Sequence, residues 1–214
     1  MASKRTTSRP EFWNERYRTD GYAFGAQADP FVSATLQALE DEKVIPRHAR
    51  IADVGAGEGR NAVHAALRGH DVVAVDFAAE GLAKAEGLAT SLGVRIRTQV
   101  VDLTTWVPRV RFDVITMTLV HLLPDARQTV LSSLADSLRP QGWLIGRWFS
   151  PTQAERGTFG PSARDRLVTP EQIKEVLRGG AFRLCASRTI VLDGGRYLQG
   201  EADVLDVVWQ ARRP

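Results

Sequence analysis

Residues 51–61 read IADVGAGEGRN: an apolar strand ending near an acidic residue, glycines at 55, 57 and 59, then the opening of a helix of small residues. Glycine allows positive φ and close backbone approach at a strand-to-helix turn, and the first helical turn offers N–H groups with no partner inside the helix. Such a turn at the carboxyl edge of a parallel sheet predicts a nucleoside site.

Charge and spacing narrow the ligand. A dinucleotide fingerprint places glycines first, third and sixth, with a pyrophosphate on the helix N-terminus. Gly55 and Gly57 fit, but the sixth place is Arg60, and Gly59 comes one residue early. Asp53 and Glu58 put carboxylates beside the turn, which suits a ligand that lacks phosphates and carries ammonium and sulfonium charge, namely S-adenosylmethionine. Asp76 follows about twenty residues later at the tip of the second strand (residues 71–75), placed to accept hydrogen bonds from two ribose hydroxyls. As an isolated residue it would serve equally as a helix N-cap.

An acidic residue followed by G-x-G-x-G resembles motif I of the class I methyltransferases. LRPQGWLI, residues 138–145, is similar to the L-x-P-G-G-x-L hinge of that class, with Gln141 in place of a frequent glycine. Trp13, Tyr17, Tyr22, Phe24 and Gly25 are ordered as in the N-terminal segment of the thiopurine-type and tellurite-resistance-type members. The resemblance covers residues 12–212 and implies a Rossmann-like, seven-stranded, mostly parallel α/β sheet with helices on both faces and a C-terminal antiparallel hairpin. It also implies that Trp13, Tyr17 and Phe24 fold over the cofactor. Asp102 would take the adenine amino group with Leu103 against the ring, and Asp53, Gly55, Ala56, Gly57, Arg60, Asn61, Asp76, Phe77 and Thr118 would line the rest of the cofactor site.

Outward from the turn, Pro10 opens a helix, and Asp29-Pro30 caps a second whose buried stripe is Phe31, Val32, Leu36 and Leu39. Residues 94–101 alternate as a third strand. Residues 112–118 are nearly continuously apolar, as expected for a strand covered on both faces. The fourth strand delivers Thr118 and His121 to the edge that carries Asp53, Asp76 and Asp102. His121 could act as a base, orient a substrate or cap the helix over residues 125–138. Residues 139–142 read as a turn into a fifth strand, 143–149. Residues 150–168 form a long polar loop, a candidate substrate lid; its GTFGP passage resembles the lid of small-molecule members. Tyr22, His121, Trp148, Arg156 and Arg164 are the candidate substrate residues. Thr169 and Gln172 form a capping box, and residues 182–192 and 202–212 make the last hairpin, with a loop longer than a tight turn.

Composition bounds the rest. The 214 residues fit one domain, residues 10–214, after a disordered start at 1–9, with cap helices over 10–48. With 43% hydrophobic and 25% charged residues and net charge +3, the chain has an ordinary globular balance. One cysteine, Cys185, and no metal-ligand spacing point to a reducing, cytoplasmic compartment and no metal. Basic residues are scattered, so nucleic acid is not indicated, and no apolar run reaches membrane-span length. TLVHLLP after the fourth strand lacks the Asn/Asp-Pro-Pro-aromatic motif of base methylation, and no Pro-Cys nucleophile occurs. The expected partner is a small-molecule methyl acceptor, the chain acting as monomer or homodimer. The alternatives are a non-catalytic S-adenosylmethionine-binding module and a nicotinamide-dependent oxidoreductase.

Overall fold

The computed structural model describes residues 9–157, 159–161 and 163–212. Of the expected disordered start, residues 1–8 lie outside that range, as do Thr158 and Ser162 of the lid. The element order is α1 (Pro10–Tyr17), α2 (Pro30–Asp41), β1 (Arg50–Val54), α3 (Arg60–Leu67), β2 (Asp71–Asp76), α4 (Ala79–Ser91), β3 (Arg97–Val100) and β4 (Phe112–Thr118). It continues with α5 (Pro124–Asp136), β5 (Leu138–Phe149), α6 (Gln153–Arg156), a 3₁₀ turn (Arg164–Arg166), α7 (Pro170–Val176), β6 (Ala181–Gly194) and β7 (Leu198–Gln210).

All seven strands form one sheet in the order β3-β2-β1-β4-β5-β7-β6. Neighbours from β3 to β5 pair in parallel, while β7 runs antiparallel to β5 and β6. The dinucleotide-binding order is 3-2-1-4-5-6 with parallel strands throughout. An antiparallel strand inserted beside β5 therefore separates this chain from the nicotinamide-binding fold.

Strand alternation builds the two layers. On one face Ile51, Val114, Trp143 and Ile145 meet Phe31, Val32, Leu36 and Leu39 of α2 and the small residues Ala62, Ala65 and Ala66 of α3. On the other, Ala52, Ile115, Met117, Leu144 and Trp148 meet Val130, Leu131 and Leu134 of α5 and Ile173 of α7. Asp29 caps α2 by accepting from the Phe31 N–H, and the Thr169–Gln172 capping box opens α7. Each is worth about 1 kcal/mol.

Four boundaries differ from the sequence reading. Strand β3 is shorter, because the Val94 N–H stays bonded to the end of α4 at the Ala89 carbonyl. Helix α5 stops at Asp136, and residues 139–142 lie within β5 as a register irregularity: Phe112 faces Leu138, but Val114 faces Trp143, and Gln141 has φ of 65°. The last hairpin is tight, since Gly194 pairs with Leu198 and only residues 195–197 turn. The lid is not wholly irregular, for it contains α6 and the 3₁₀ turn.

Gly146 sets how β5 packs. A Cβ at this residue would lie 2.2 Å from the Trp148 indole, which is fully buried two residues along the same face. We predict that Gly146→Ala lowers unfolding stability by about 1–3 kcal/mol, the usual overpacking range, because neither the indole nor the strand can yield. Urea denaturation checks this, and an unchanged midpoint would refute it.

Candidate active site

The glycine turn is held by β2. The N–H groups of Gly55 and Ala56 donate to the Val75 carbonyl at 2.8 and 3.0 Å. The Gly57 N–H donates to Asp76 Oδ2 at 2.8 Å, and Asp76 Oδ1 accepts from the Ala78 N–H at 2.8 Å. An ionised carboxylate can accept about four hydrogen bonds, so Asp76 keeps acceptor capacity at the strand tip. Gly57 (φ 53°) has no room for a side chain, because a Cβ would stand 2.7 Å from the Tyr17 hydroxyl.

Helix α3 begins at Gly59, which offers no side-chain cap. Asp53 does that work from below. Its Oδ2 accepts from the Ala62 N–H at 3.0 Å, and its Oδ1 accepts from the Thr116 hydroxyl of β4 at 2.6 Å. Burial pushes its pKa up to about 6, against the opposing pull of those two bonds. Asp76 is raised for the same reason, with its backbone N–H partners opposing. The Tyr17 hydroxyl is raised well above its ordinary value by burial and then by the charges of Asp76 and Glu58. This corner is rich in acid groups that burial holds back from ionising, an arrangement that favours an incoming cation.

Glu58 has a different role from the one its sequence position suggested. Its carboxylate lies 2.7 Å from Lys84 Nζ and accepts from the Phe24 N–H at 3.4 Å. Lys84 also donates to the carbonyls of Thr19 and Gly21, so the pair fastens the segment between α1 and α2 to α4. A second network fixes the start of α2. Buried Arg147 of β5 binds Asp29 at 2.8 Å and Asp206 of β7 at 2.6 Å, with Arg188 on Asp206 at 2.7 Å. Sequence reasoning missed Lys84, Arg147 and Asp206, whose partners lie far away in sequence and carry no local signal.

Other expected cofactor residues fall around this corner. Trp13, Tyr17 and Phe24 pack as one ring cluster, with centroids 5.8–6.3 Å apart. Arg60 donates to the Phe24 carbonyl at 3.3 Å, and burial lowers its pKa. Asn61 links the Asp29 N–H to the Thr118 hydroxyl, at 2.9 and 3.0 Å. Ala56 and Phe77 are half-buried beside the turn. Asp102 is exposed beyond the tip of β3, where it accepts from the N–H and hydroxyl of Thr104, while Leu103 packs into the core.

The substrate residues divide. Trp148 is a core residue with no exposed surface, so its reading as a substrate contact is corrected. Tyr22 turns away to Val63, Leu88 and Ala89 on the outer helical layer, with Lys84 5.5 Å from its ring, and is corrected likewise. Arg156 is bound to Glu201 at 2.6 Å and Asp203 at 2.9 Å, so its charge anchors α6 to β7 and is not offered to an anion. Arg164 is exposed at the start of the 3₁₀ turn.

His121 stands at the tip of β4 against the tip of β5, its ring stacked on Phe149 at 5.1 Å and 4°. Leu119, in the left-handed region at φ 58°, makes the turn, held by its N–H to the Arg147 carbonyl at 2.7 Å. Burial pushes the His121 pKa down to about 4; the Arg166 backbone opposes, and the charges of Arg166 and Arg127 add to the fall. Among the described residues, no group of His, Cys, Asp and Glu is arranged to hold a metal ion, and no helix is long and apolar enough to cross a membrane.

Comparison with known proteins agrees with this geometry. Residues 51–142, from β1 to the irregularity in β5, match the family model described as a methyltransferase domain. Over 94% of its length the chain superposes on 97% of the N-methyltransferase NodS from Bradyrhizobium japonicum in complex with S-adenosyl-L-homocysteine, with TM-score 0.69 and 13% identity. It covers 67% of TehB from Haemophilus influenzae with 95% of its own length, at TM-score 0.68 and 15% identity. A TehB-like S-adenosylmethionine-dependent methyltransferase from Corynebacterium glutamicum gives TM-score 0.59 and 21% identity, over 87% of this chain and 91% of that one. A search of the curated proteins finds no match. The fold is the one these methyltransferases share, and the stretch that matches a methyltransferase domain, somewhat under half of the chain, is the one that carries the glycine turn, Asp53 and Asp76.

Asp53 links this corner to stability. Its native pKa of about 6 exceeds its ordinary value of 3.8, so the folded state binds the proton more tightly than the unfolded chain. Its ionisation therefore weakens the fold above pH 6, and the penalty is relieved as pH falls toward 4. We predict that the free protein gains about 2 kcal/mol from this group between pH 7 and pH 4. Asp53→Asn, which can still accept from Ala62, should lack that contribution. Parallel pH-dependent slopes for the two proteins in urea denaturation would contradict the assignment.

Proposed function

We propose that this chain transfers the methyl group of S-adenosylmethionine to a small-molecule nucleophile at the tips of β4 and β5. The observation that carries the cofactor half is Asp76, whose carboxylate meets the glycine turn at the second strand tip with acceptor capacity to spare. It would hold the ribose hydroxyls, with Asp102 toward the adenine amino group and Leu103 against the ring. Trp13, Tyr17 and Phe24 would close the open side. Asp53 would act from beneath, its charge favouring the methionine end without touching it, because both its oxygens already bind protein.

The lid supports a small acceptor. The Val168 N–H donates to the Phe149 carbonyl at 3.1 Å, and the Ser150 N–H donates to the Asp203 carbonyl at 2.9 Å. Gln153 joins the Phe159 carbonyl to the Asp203 N–H, at 3.1 and 2.8 Å. The described residues of this segment are thereby bolted over the strand tips, a cover suited to a compact molecule. The cofactor brings a methyl group already activated by its sulfonium. What remains for the protein is to align the nucleophile and exclude water.

Formation of S-adenosylhomocysteine with a panel of thiols, phenols, amines and oxyanions tests the reading; cofactor binding without turnover on any of them would favour the non-catalytic module instead. For the site, Asp76→Ala should weaken cofactor binding by about 1.5–3 kcal/mol, the cost of losing hydrogen bonds to a charged acceptor. Asp76→Asn, which keeps one acceptor, should lose less. Unchanged affinity in calorimetry would remove Asp76 from the site.

A further inference from the structure

We propose that the acceptor is an aromatic hydroxyl, held with its ring among Phe149, Phe159 and Leu119 and its O–H on His121; this rests on the methyltransferase reading above. Both ring nitrogens of His121 are buried and neither has a protein partner at full hydrogen-bond geometry, although the Arg166 backbone acts on the ring as an acceptor would. A neutral imidazole always carries one donor and one acceptor, and leaving either unpaired in a dry site costs free energy; with no protein group donating to the acceptor nitrogen, the ring calls for a protic partner. The surroundings of the imidazole specify the rest of that partner.

Those surroundings are apolar and ring-shaped. His121 stacks on Phe149, and Phe159 meets Phe149 edge-on at 5.7 Å. Gly160, at φ 94°, lets the lid close on this group, since a Cβ there would lie 2.8 Å from the Phe149 ring. Leu119 packs into the same cluster. Aromatic faces in offset or edge contact favour another flat ring over an aliphatic chain.

The charges discriminate among nucleophiles. The charges acting on His121 are the Arg166 and Arg127 guanidiniums, the second of them partly offset by Asp165. That field opposes an ammonium, and an imidazole so poorly basic cannot deprotonate one before reaction. It favours a group that becomes more acidic as it reacts. In the proposed step an oxygen lone pair forms the bond to the methyl carbon while the carbon–sulfur bond breaks and its electron pair stays on sulfur. The hydroxyl proton, now strongly acidic, passes to the His121 nitrogen and goes from this weak base to solvent as the product leaves. A thiol ionises readily on its own and would have little use for His121.

The test uses the full chain with a graded series of phenols, thiophenol, benzylamine and selenite. The expected result is methylation of phenols, with His121→Phe, which keeps the stack on Phe149, reducing kcat by about 100-fold while cofactor Kd is unchanged. The loss should be larger for less acidic phenols, and His121→Gln should restore part of it. As a readout without turnover, 4-nitrophenol titrated into the S-adenosylhomocysteine complex should shift its absorbance, and His121→Phe should abolish the shift. Methylation of the thiol, amine or selenite but of no phenol would overturn this proposal and leave the methyltransferase reading intact. So would cofactor binding with no phenol methylated, or an equal loss across the phenol series. Failure to bind S-adenosylmethionine would overturn both.

Discussion

The carboxylate of Asp53 joins three elements that are distant in sequence. It stands one residue before the end of β1, caps the first turn of α3 where Gly59 cannot, and fastens the Thr116 hydroxyl of β4. The glycine turn is thus suspended between Asp53 below and Asp76 alongside, and its shape is set by two buried carboxylates. Burying acids is unfavourable unless their oxygens are bonded, and each is bonded to backbone or hydroxyl donors and not to a cation. The corner is consequently acidic in character yet resistant to ionisation, which is a reason for it to accept a positively charged nucleoside.

The remaining polar interior works to bring the chain's ends to that corner. Arg147 holds Asp29 across 118 residues of sequence, and Asp206 completes its hydrogen bonding. Buried ion pairs of this kind add little net stability but fix a geometry that apolar packing would leave loose. Lys84 with Glu58 does the same for residues 19–24. Tyr197 of the hairpin turn donates its N–H to the Ala23 carbonyl at 3.2 Å and takes the Arg16 guanidinium on its ring at 3.9 Å. Cap and hairpin thereby meet over the glycine turn, and the site is closed by segments from opposite ends of the chain.

Much of this was legible from residue order. The apolar strands, the Asp29-Pro30 cap and the Thr169–Gln172 box are local signals, and local physics decides them. Asp76 could be placed because spacing along one βαβ unit fixes where a strand tip falls. What escaped depended on contacts between distant segments. Trp148 reads as an edge residue, but its pleat turns it inward against Gly146. Tyr22 belongs to the same aromatic run as Tyr17, yet the turn at Gly21, with φ of 69°, sends it to the outer helices. Arg156 gives no hint in sequence of Glu201 and Asp203, and the tightness of the last hairpin depends on its docking against Ala23.

The central claim is electrostatic: Asp53, which burial holds back from ionising in the free protein, becomes fully ionised when a cation arrives. Proton exchange on binding measures it directly, by titrating S-adenosylmethionine calorimetrically at pH 6 in buffers of different ionisation enthalpy. With the Asp53 pKa at about 6, the account predicts that a fraction of a proton is released on binding, and less for S-adenosylhomocysteine, whose sulfur is uncharged. Proton uptake, or equal exchange with the two ligands, would contradict it.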